Sequence, residues 1–355
     1  MANSVADMDQ DSVQRLLDEH NGNKSAVARS LGIPRTTLIS QLESRAREST
    51  GKKTETAKQA EINQLRKRLA LANQQIEALR SKRKTITGKA RKKPTGTFAR
   101  VIIPDTHGCY LDKPAAKAFL DDLASINPAE IVMLGDHLDC GGFLAQHHTM
   151  CYVAETAYTF KDDVAAANEF LDRVQEAAPN ATIHMLQGNH ERRIEKWIVT
   201  ETLRNQTDAD FLHSMFSAEK VLSIRERGIN YYVENEFHHG LRIRGAIKLG
   251  DCHFTHGIST AKHAAAATVA KFGGCIVYGH THRVNSVVVR NVSRGEIGAW
   301  CPGCLCEIQP YYGYTNISDW SHGYGLQFVQ KDGRFMHLNV TIVDGLSLLP
   351  ELKLQ

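Results

Sequence analysis

Residues 99–108 read ARVIIPDTHG, an apolar run that stops at Pro104 and gives way to Asp105, Thr106, His107 and Gly108. The same construction recurs four times: IVMLGDHLD at 131–139, TIHMLQGNHE at 182–191, CHFTHG at 252–257 and CIVYGHTH at 275–282. A short apolar run bounded by turn residues reads as a buried strand. In open α/β sheets, ligands gather beyond the carboxyl ends of the strands. Here five strand ends each present Asp, Asn or His beside a glycine, which lets the backbone turn sharply and come close to a bound ion.

Working outward, helical patterns fall between the runs, at 114–123, 153–174 and 260–271. Further strands are expected at 241–247 and 287–289, with a hairpin of 327–330 and 335–343 around Asp332-Gly333. Strand and helix in alternation predict an α/β domain with layered sheets and helices outside.

Taken together, DxH, GDxxD, GNH[DE], a later H-G and GHxH resemble the calcineurin-like metallophosphoesterase superfamily, with every motif intact between Asp105 and His282. The resemblance implies a two-sheet sandwich flanked by helices, holding two divalent ions. It gives one ion Asp105, His107, Asp136 and His282, and the other Asp136, Asn189, His256 and His280, with Asp136 as the bridge. It gives His190 the task of protonating the leaving oxygen, with Asp139 orienting that imidazole. Mixed oxygen and nitrogen ligands suit manganese best, with iron, zinc, nickel or magnesium also admissible. The reaction so implied is attack of metal-activated water on a phosphate ester.

Departures from the pattern narrow the substrate. GDHLDCGG and GNHE resemble the Ser/Thr phosphoprotein phosphatases, but Cys140 stands where their second motif carries an arginine for phosphate. Losing a bidentate clamp weakens that reading. Arg192 and Arg193 follow GNHE and are candidates to reach a phosphate instead, or else are solvated helix arginines. No GxxxxGK[ST] or GxSxG motif occurs. Cys301, Cys304 and Cys306 form a CxxCxC cluster, read as a turn of buried thiols or, with His322, as a zinc site. The segment 303–325 resembles the tail of phage-encoded members, and its Tyr311, Tyr312, Tyr314 and Trp320 either stack on bases or pack on the sheet.

The first 97 residues differ in kind. They carry 20 Lys and Arg against 10 Asp and Glu, whereas the remainder carries 23 against 29. Such a basic arm points to a polyanion partner. Residues 21–42, NGNKSAVARSLGIPRTTLISQL, resemble the Fis-type helix-turn-helix. That resemblance places the third helix in the major groove, with Arg35, Thr36, Thr37 and Ser40 toward DNA; the alternative is a small bundle that docks proteins. Ile62, Leu65, Leu69, Ala72, Ile76 and Leu79 follow a heptad seam, so residues 57–80 are expected to dimerise or to lie on the body as one amphipathic helix. KRKTITGKARKK at 82–93 holds seven basic residues and reads as a flexible linker. The expected organisation is a helix-turn-helix at 1–45, a short coiled coil and linker at 46–97, and the phosphoesterase domain at 98–355.

No apolar run approaches the ~20 residues a bilayer requires, and no apolar segment follows MANSVADMDQ as a secretory leader would demand. Eight dilute cysteines fit a reducing cytosol, that of a bacterial host if the chain is phage-encoded. The expectation is a cytoplasmic phosphodiesterase or nuclease acting on DNA or nucleotides, with phosphoprotein phosphatase and nucleotide-sensing DNA-binding regulator as alternatives.

Overall fold

Val101, Ile102 and Ile103 are fully buried in β1 (Phe98–Ile103), the strand on which the larger sheet is built. A computed structural model describes residues 8–45, 59–60, 62–68, 70–71, 96–145, 157–202, 206–233, 236–238, 241–243, 245–257, 259–309 and 318–349. The chain divides into two compact units, Met1–Arg83 and Lys84–Gln355.

In the second unit β1 pairs in parallel with β2 (Glu130–Met133), which is followed by β3 (Thr182–Leu186) and β4 (Asn230–Tyr232), again parallel. A hairpin, β5 (Glu236–His238) with β6 (Leu241–Ile243), stands apart. A five-stranded sheet contains β7 (Ala246–Leu249), β8 (Cys252–Thr255), β9 (Ile276–Tyr278), β10 (Val284–Asn291) and β11 (Gly295–Pro302), in the order β10-β11-β9-β8-β7. The larger sheet is completed by β12 (Gly323–Val329), β13 (Phe335–Val343) and β14 (Leu346–Ser347), giving β14-β13-β12-β1-β2-β3-β4.

The sheets meet face to face. Ile102, Val132 and Leu186 of the larger sheet pack with Ile247, Cys252, Phe254 and Val277 of the smaller. At ~25 cal/mol per Å² of apolar surface this layer is the main force joining them. The one charge within β1, Arg100, is buried, and its guanidinium donates to Glu130 Oε2 at 2.8 Å and Gln327 Oε1 at 3.0 Å. Helices cover the outer faces. Phe119 of α4 (Lys113–Ile126) packs both on Tyr324 of the larger sheet and on Phe170 of α5 (Phe160–Ala177). Against the smaller sheet, α9 (Ala264–Phe272) sets Ala264, Ala265 and Val269 on Ile276, Tyr278 and Ala299. Between α5 and β4 run α6 (Arg192–Thr202), α7 (Gln206–Met215) and α8 (Ala218–Val221).

The expected sandwich is present, with differences in detail. Of the helix expected over 153–174, residues 153–156 lie outside the described residues; from Phe160 a helix runs to Ala177, capped by the Thr159 hydroxyl, which accepts from the Asp162 amide at 3.1 Å. The strand expected over 241–247 is two strands, because Gly245 takes a left-handed φ of +54° between them. Three helices, α6 to α8, and strands β4, β5, β11 and β14 were not anticipated.

In the first unit, α1 (Gln10–Glu19), α2 (Lys24–Ser30) and α3 (35–45) enclose Val13, Val27, Ala28 and Leu38, with Leu16, Leu17, Leu31 and Leu42 around them. Asn23 caps α2 through the Ser25 and Ala26 amides, and Gly32 makes the turn with φ +68°. On α3, Arg35, Thr36, Thr37 and Ser40 are all exposed while Leu38 is buried. Of the heptad seam, Ile62 and Leu65 lie in a described helical stretch; Leu69, Ala72, Ile76 and Leu79, and the basic run 82–93, lie outside the described residues. So do Tyr311, Tyr312 and Tyr314. Among the described residues no helix is long and apolar enough to cross a membrane.

Candidate active site

The five strand ends are held together by hydrogen bonds between their loops. Thr106 and His107 donate their amides to the Asp136 carbonyl, Gly279 donates to His256, and Leu305 donates to Asp105. His107, Asp136, His280 and His282 all adopt left-handed backbone, with φ of +49°, +52°, +70° and +55°. Such conformations are uncommon outside glycine and persist only where the surroundings enforce them.

The closeness of the loops depends on Gly188. A Cβ there would strike the Asp136 carboxylate and amide. Gly188→Ala is expected to lower stability by about 1–3 kcal/mol, as overpacking does. Thermal unfolding reads the change, and a melting curve identical to the parent's would show that the loops have room to part.

Two sets of donors result. In the first, His282 Nε2 lies 2.9 Å from Asp105 Oδ2 and 3.2 Å from His107 Nε2. Asp105, His107 and Asp136 offer atoms within 4.8 Å of one another. In the second, His256 Nε2 lies 3.0 Å from Asp136 Oδ2, 2.9 Å from Asn189 Oδ1 and 3.2 Å from His280 Nδ1. The structure thus brings all seven expected ligand residues together, with Asp136 in both sets.

The outward nitrogens of the rings are spoken for. His256 Nδ1–H donates to the Leu134 carbonyl at 3.1 Å, and His107 Nδ1–H to Asp139 Oδ1 at 3.0 Å. These two rings therefore turn Nε2 inward, the orientation that outer partners impose on ligating histidines, whereas His280 faces His256 through Nδ1. Imidazole nitrogens facing one another at 3.2 Å, with carboxylate oxygens beside them, are a donor set suited to divalent cations.

The electrostatics agree. Burial opposes charge on Asp105 and Asp136, yet the facing imidazoles hold both carboxyls below the ordinary range. Burial likewise opposes charge on His256, but the Asp136 and Asp105 charges push it up to about 10. Desolvation dominates at His107 and His280, which are held down.

His190 stands beside this centre. Its Nδ1–H donates to the Asp139 carbonyl at 2.5 Å, and its Nε2 lies 3.8 Å from Asp136 Oδ2 and 3.0 Å from Arg193 Nη2. Burial works against its charge, but Asp136 and Asp139 outweigh that and raise its pKa. The Asp139 carboxylate is shared: it is 3.5 Å from His190 Nδ1 and closer, at 3.0 Å, to His107. The backbone carbonyl of Asp139, rather than its carboxylate, is therefore the nearer partner of His190.

Three supporting residues were not singled out in the sequence for these roles. Glu191 accepts the amides of Asp136, His137, Leu138 and Gly188 at 2.6–3.0 Å, fixing two loops at once. Burial and the Asp136 charge push its carboxyl up to about 7. Asp163 on α5 accepts the Asp139 and Cys140 amides and the Tyr158 hydroxyl, and burial raises it to about 6. Arg193 donates Nη1 to the Asp139 and Cys140 carbonyls. Only GNHE itself hinted at Glu191; Asp163 has no local signature.

Cys301, Cys304 and Cys306 are buried. Of the three, Cys306 joins a donor group, with His107 and His282. His322 Nε2–H donates to the Cys306 carbonyl at 2.9 Å. Trp320 packs its ring edge-on against His282, centroids 4.1 Å apart.

Residues 4–43 match the family described as bacterial regulatory protein, Fis family. Residues 100–284 match the calcineurin-like phosphoesterase family. No curated protein matches the chain. Among solved structures, vacuolar protein sorting 29 from Cryptosporidium parvum is 13% identical, covering 71% of this chain and 95% of its own, with a TM-score of 0.38. Yfce, a phosphoesterase from E. coli, is 17% identical over 68% of this chain and 98% of its own, with a TM-score of 0.29. With more than half its length matched, the chain belongs to the calcineurin-like phosphoesterases, metal-dependent hydrolases of phosphate esters.

Proposed function

We propose that the protein is a two-metal phosphodiesterase acting on DNA or nucleotides, brought to DNA by its N-terminal unit. The observation that carries the reading is the pair of donor sets sharing Asp136, with His190 Nε2 at 3.8 Å from that carboxylate. Two divalent ions held there supply an acidified water for attack and positive charge for the phosphoryl oxygens. The chain's own residues do the rest. Asp105, His107, Asp136 and His282 form one ligand set; Asp136, Asn189, His256 and His280 form the other. His190, with Nδ1 engaged by the Asp139 carbonyl, presents Nε2 to protonate the departing oxygen. Asp139 orients His107 and His190 together.

Two features favour a diester of nucleic acid over a phosphoprotein. Glu191 of GNHE is spent on backbone amides, so that motif speaks for loop architecture rather than for a phosphoprotein substrate. The exposed Arg35, Thr36, Thr37 and Ser40 on α3 fit a recognition face, and tethering raises the local concentration of enzyme on DNA.

The test is the full chain, supplied with Mn²⁺, on bis-p-nitrophenyl phosphate, p-nitrophenyl phosphate, single- and double-stranded DNA, and a phosphopeptide. Turnover of the phosphopeptide alone would overturn the reading. Duplex affinity is expected to fall by ~0.9 log unit per contacted phosphate for each tenfold rise in salt. Arg35→Ala should weaken it about 5- to 100-fold if that side chain reads a base. Unaltered affinity across salt and in Arg35→Ala would remove the first unit from DNA binding.

A further inference from the structure

One helix, α6, carries both the guanidinium beside His190 and the tryptophan that packs on an exposed aromatic ring, Phe143. Phe143 lies in the 3₁₀ turn Gly142–Leu144, which follows directly on the loop bearing Asp136 and Asp139. It is 50% exposed, unusual for a large ring held so firmly. Its edge-on neighbours are Trp197 at 5.5 Å and Phe160 at 5.9 Å, and both of those pack on Phe216, at 5.9 and 5.5 Å. Four rings from α5, α6 and two connecting segments therefore make one block, of which Phe143 is the half-open member. Aromatic pairs in this geometry gain from their quadrupoles as well as from burial, so the block is rigid.

Arg193 and Trp197 are four residues apart on α6 and so share a face of the helix. Trp197 touches Phe143, while Arg193 reaches the other end of the same loop, at the Asp139 and Cys140 carbonyls. Nη2 of Arg193 lies 3.0 Å from His190 Nε2. For that nitrogen to protonate a departing oxygen, the ester must come within about 3 Å of it. The same ester is then within reach of Arg193. Arg193 thus offers from α6 the positive charge missing at Cys140, and the exposed ring packed on the same helix is Phe143.

Resting on the diesterase reading, we propose that Arg193 and Phe143 form a nucleotide subsite, Arg193 contacting the phosphoryl oxygens and Phe143 stacking on the adjoining base. A guanidinium for phosphate beside an aromatic platform for a base is the combination by which single strands are held without sequence preference.

The test uses the full chain with Mn²⁺ and two diesters with one leaving group: thymidine 5′-(p-nitrophenyl) phosphate, which carries a base, and methyl p-nitrophenyl phosphate, which does not. The quantity read is the ratio of kcat/KM between them. Phe143→Ala is expected to lower that ratio by about fivefold or more, the low end of base stacking, and Phe143→Trp to keep it. Loss of folding lowers both values and leaves the ratio alone, so a ratio equal to the parent's in Phe143→Ala overturns the subsite. Arg193→Lys is expected to raise KM for both esters, since a point charge does not replace the planar fork; an unaltered KM removes Arg193 from it. No turnover of either diester overturns the diesterase reading and the subsite with it. Turnover of both with equal kcat/KM in the parent overturns the subsite alone. Inhibition by single-stranded oligodeoxythymidylate stronger than by thymidine monophosphate assigns the base to a polynucleotide; the reverse order assigns it to a free nucleotide.

Discussion

Asp136→Asn is expected to reduce bound divalent ion in both sets at once and to lower kcat at least ~10³-fold, several kcal/mol of lost charge stabilisation. Asn tolerates the left-handed backbone that residue 136 requires, at φ +52°, and its amide oxygen still accepts the His190 amide now bonded to Oδ1 at 2.8 Å. What disappears is the negative charge 3.0 Å from His256 Nε2, the one carboxylate common to both donor sets. His282→Ala, by contrast, removes a donor that lies against Asp105 and His107, in the first set only, and is expected to lower occupancy of that set. Elemental analysis after reconstitution reads both variants. Two ions retained with full turnover in Asp136→Asn would remove Asp136 from the bridging position.

The parts of this centre that were legible in the sequence are those whose chemistry leaves no choice of residue. Divalent cations call for carboxylate, imidazole and amide oxygen donors, and a parallel sheet delivers them just past the apolar runs, so Asp105, Asp136, Asn189, His256 and His280 stand where a strand visibly ends. The residues that hold those loops in place follow no such rule. Asp163 bonds to amides 24 and 23 residues before it in the chain, through packing of α5 on the loop, and nothing near it in sequence announces that. Asp139 was readable as a partner of a histidine, but which histidine depends on a backbone turn; the carboxylate goes first to His107 and the carbonyl to His190. Secondary structure failed where the pattern was dilute. Two glycines in Gly295–Pro302 interrupt the alternation of β11, and only Ile194 and Ile198 of α6 are buried, too few for a clear helical stripe.

His190→Gln is expected to divide substrates by leaving group. An alkoxide, as in a DNA strand, must be protonated as it departs, and general acid catalysis contributes ~10²–10⁴-fold to such a step. Nitrophenolate leaves without that help. The geometry supplies the asymmetry that an acid needs. Nδ1–H is committed to the Asp139 carbonyl at 2.5 Å, so proton exchange takes place at Nε2, on the side of Asp136 and Arg193. Asp136 and Asp139 outweigh burial in raising the pKa of His190, which keeps the ring charged to higher pH than an isolated imidazole, whereas Arg193 opposes this. Gln offers no titratable nitrogen but fills similar space, and ligands on the far side of Asp136 are untouched. Turnover of an alkyl diester should therefore fall ~10²- to 10⁴-fold in the variant, with p-nitrophenyl esters losing much less and bound ion retained. Equal losses for both leaving groups would mean that His190 holds the phosphoryl group through charge alone, and the departing oxygen would have to take its proton from water.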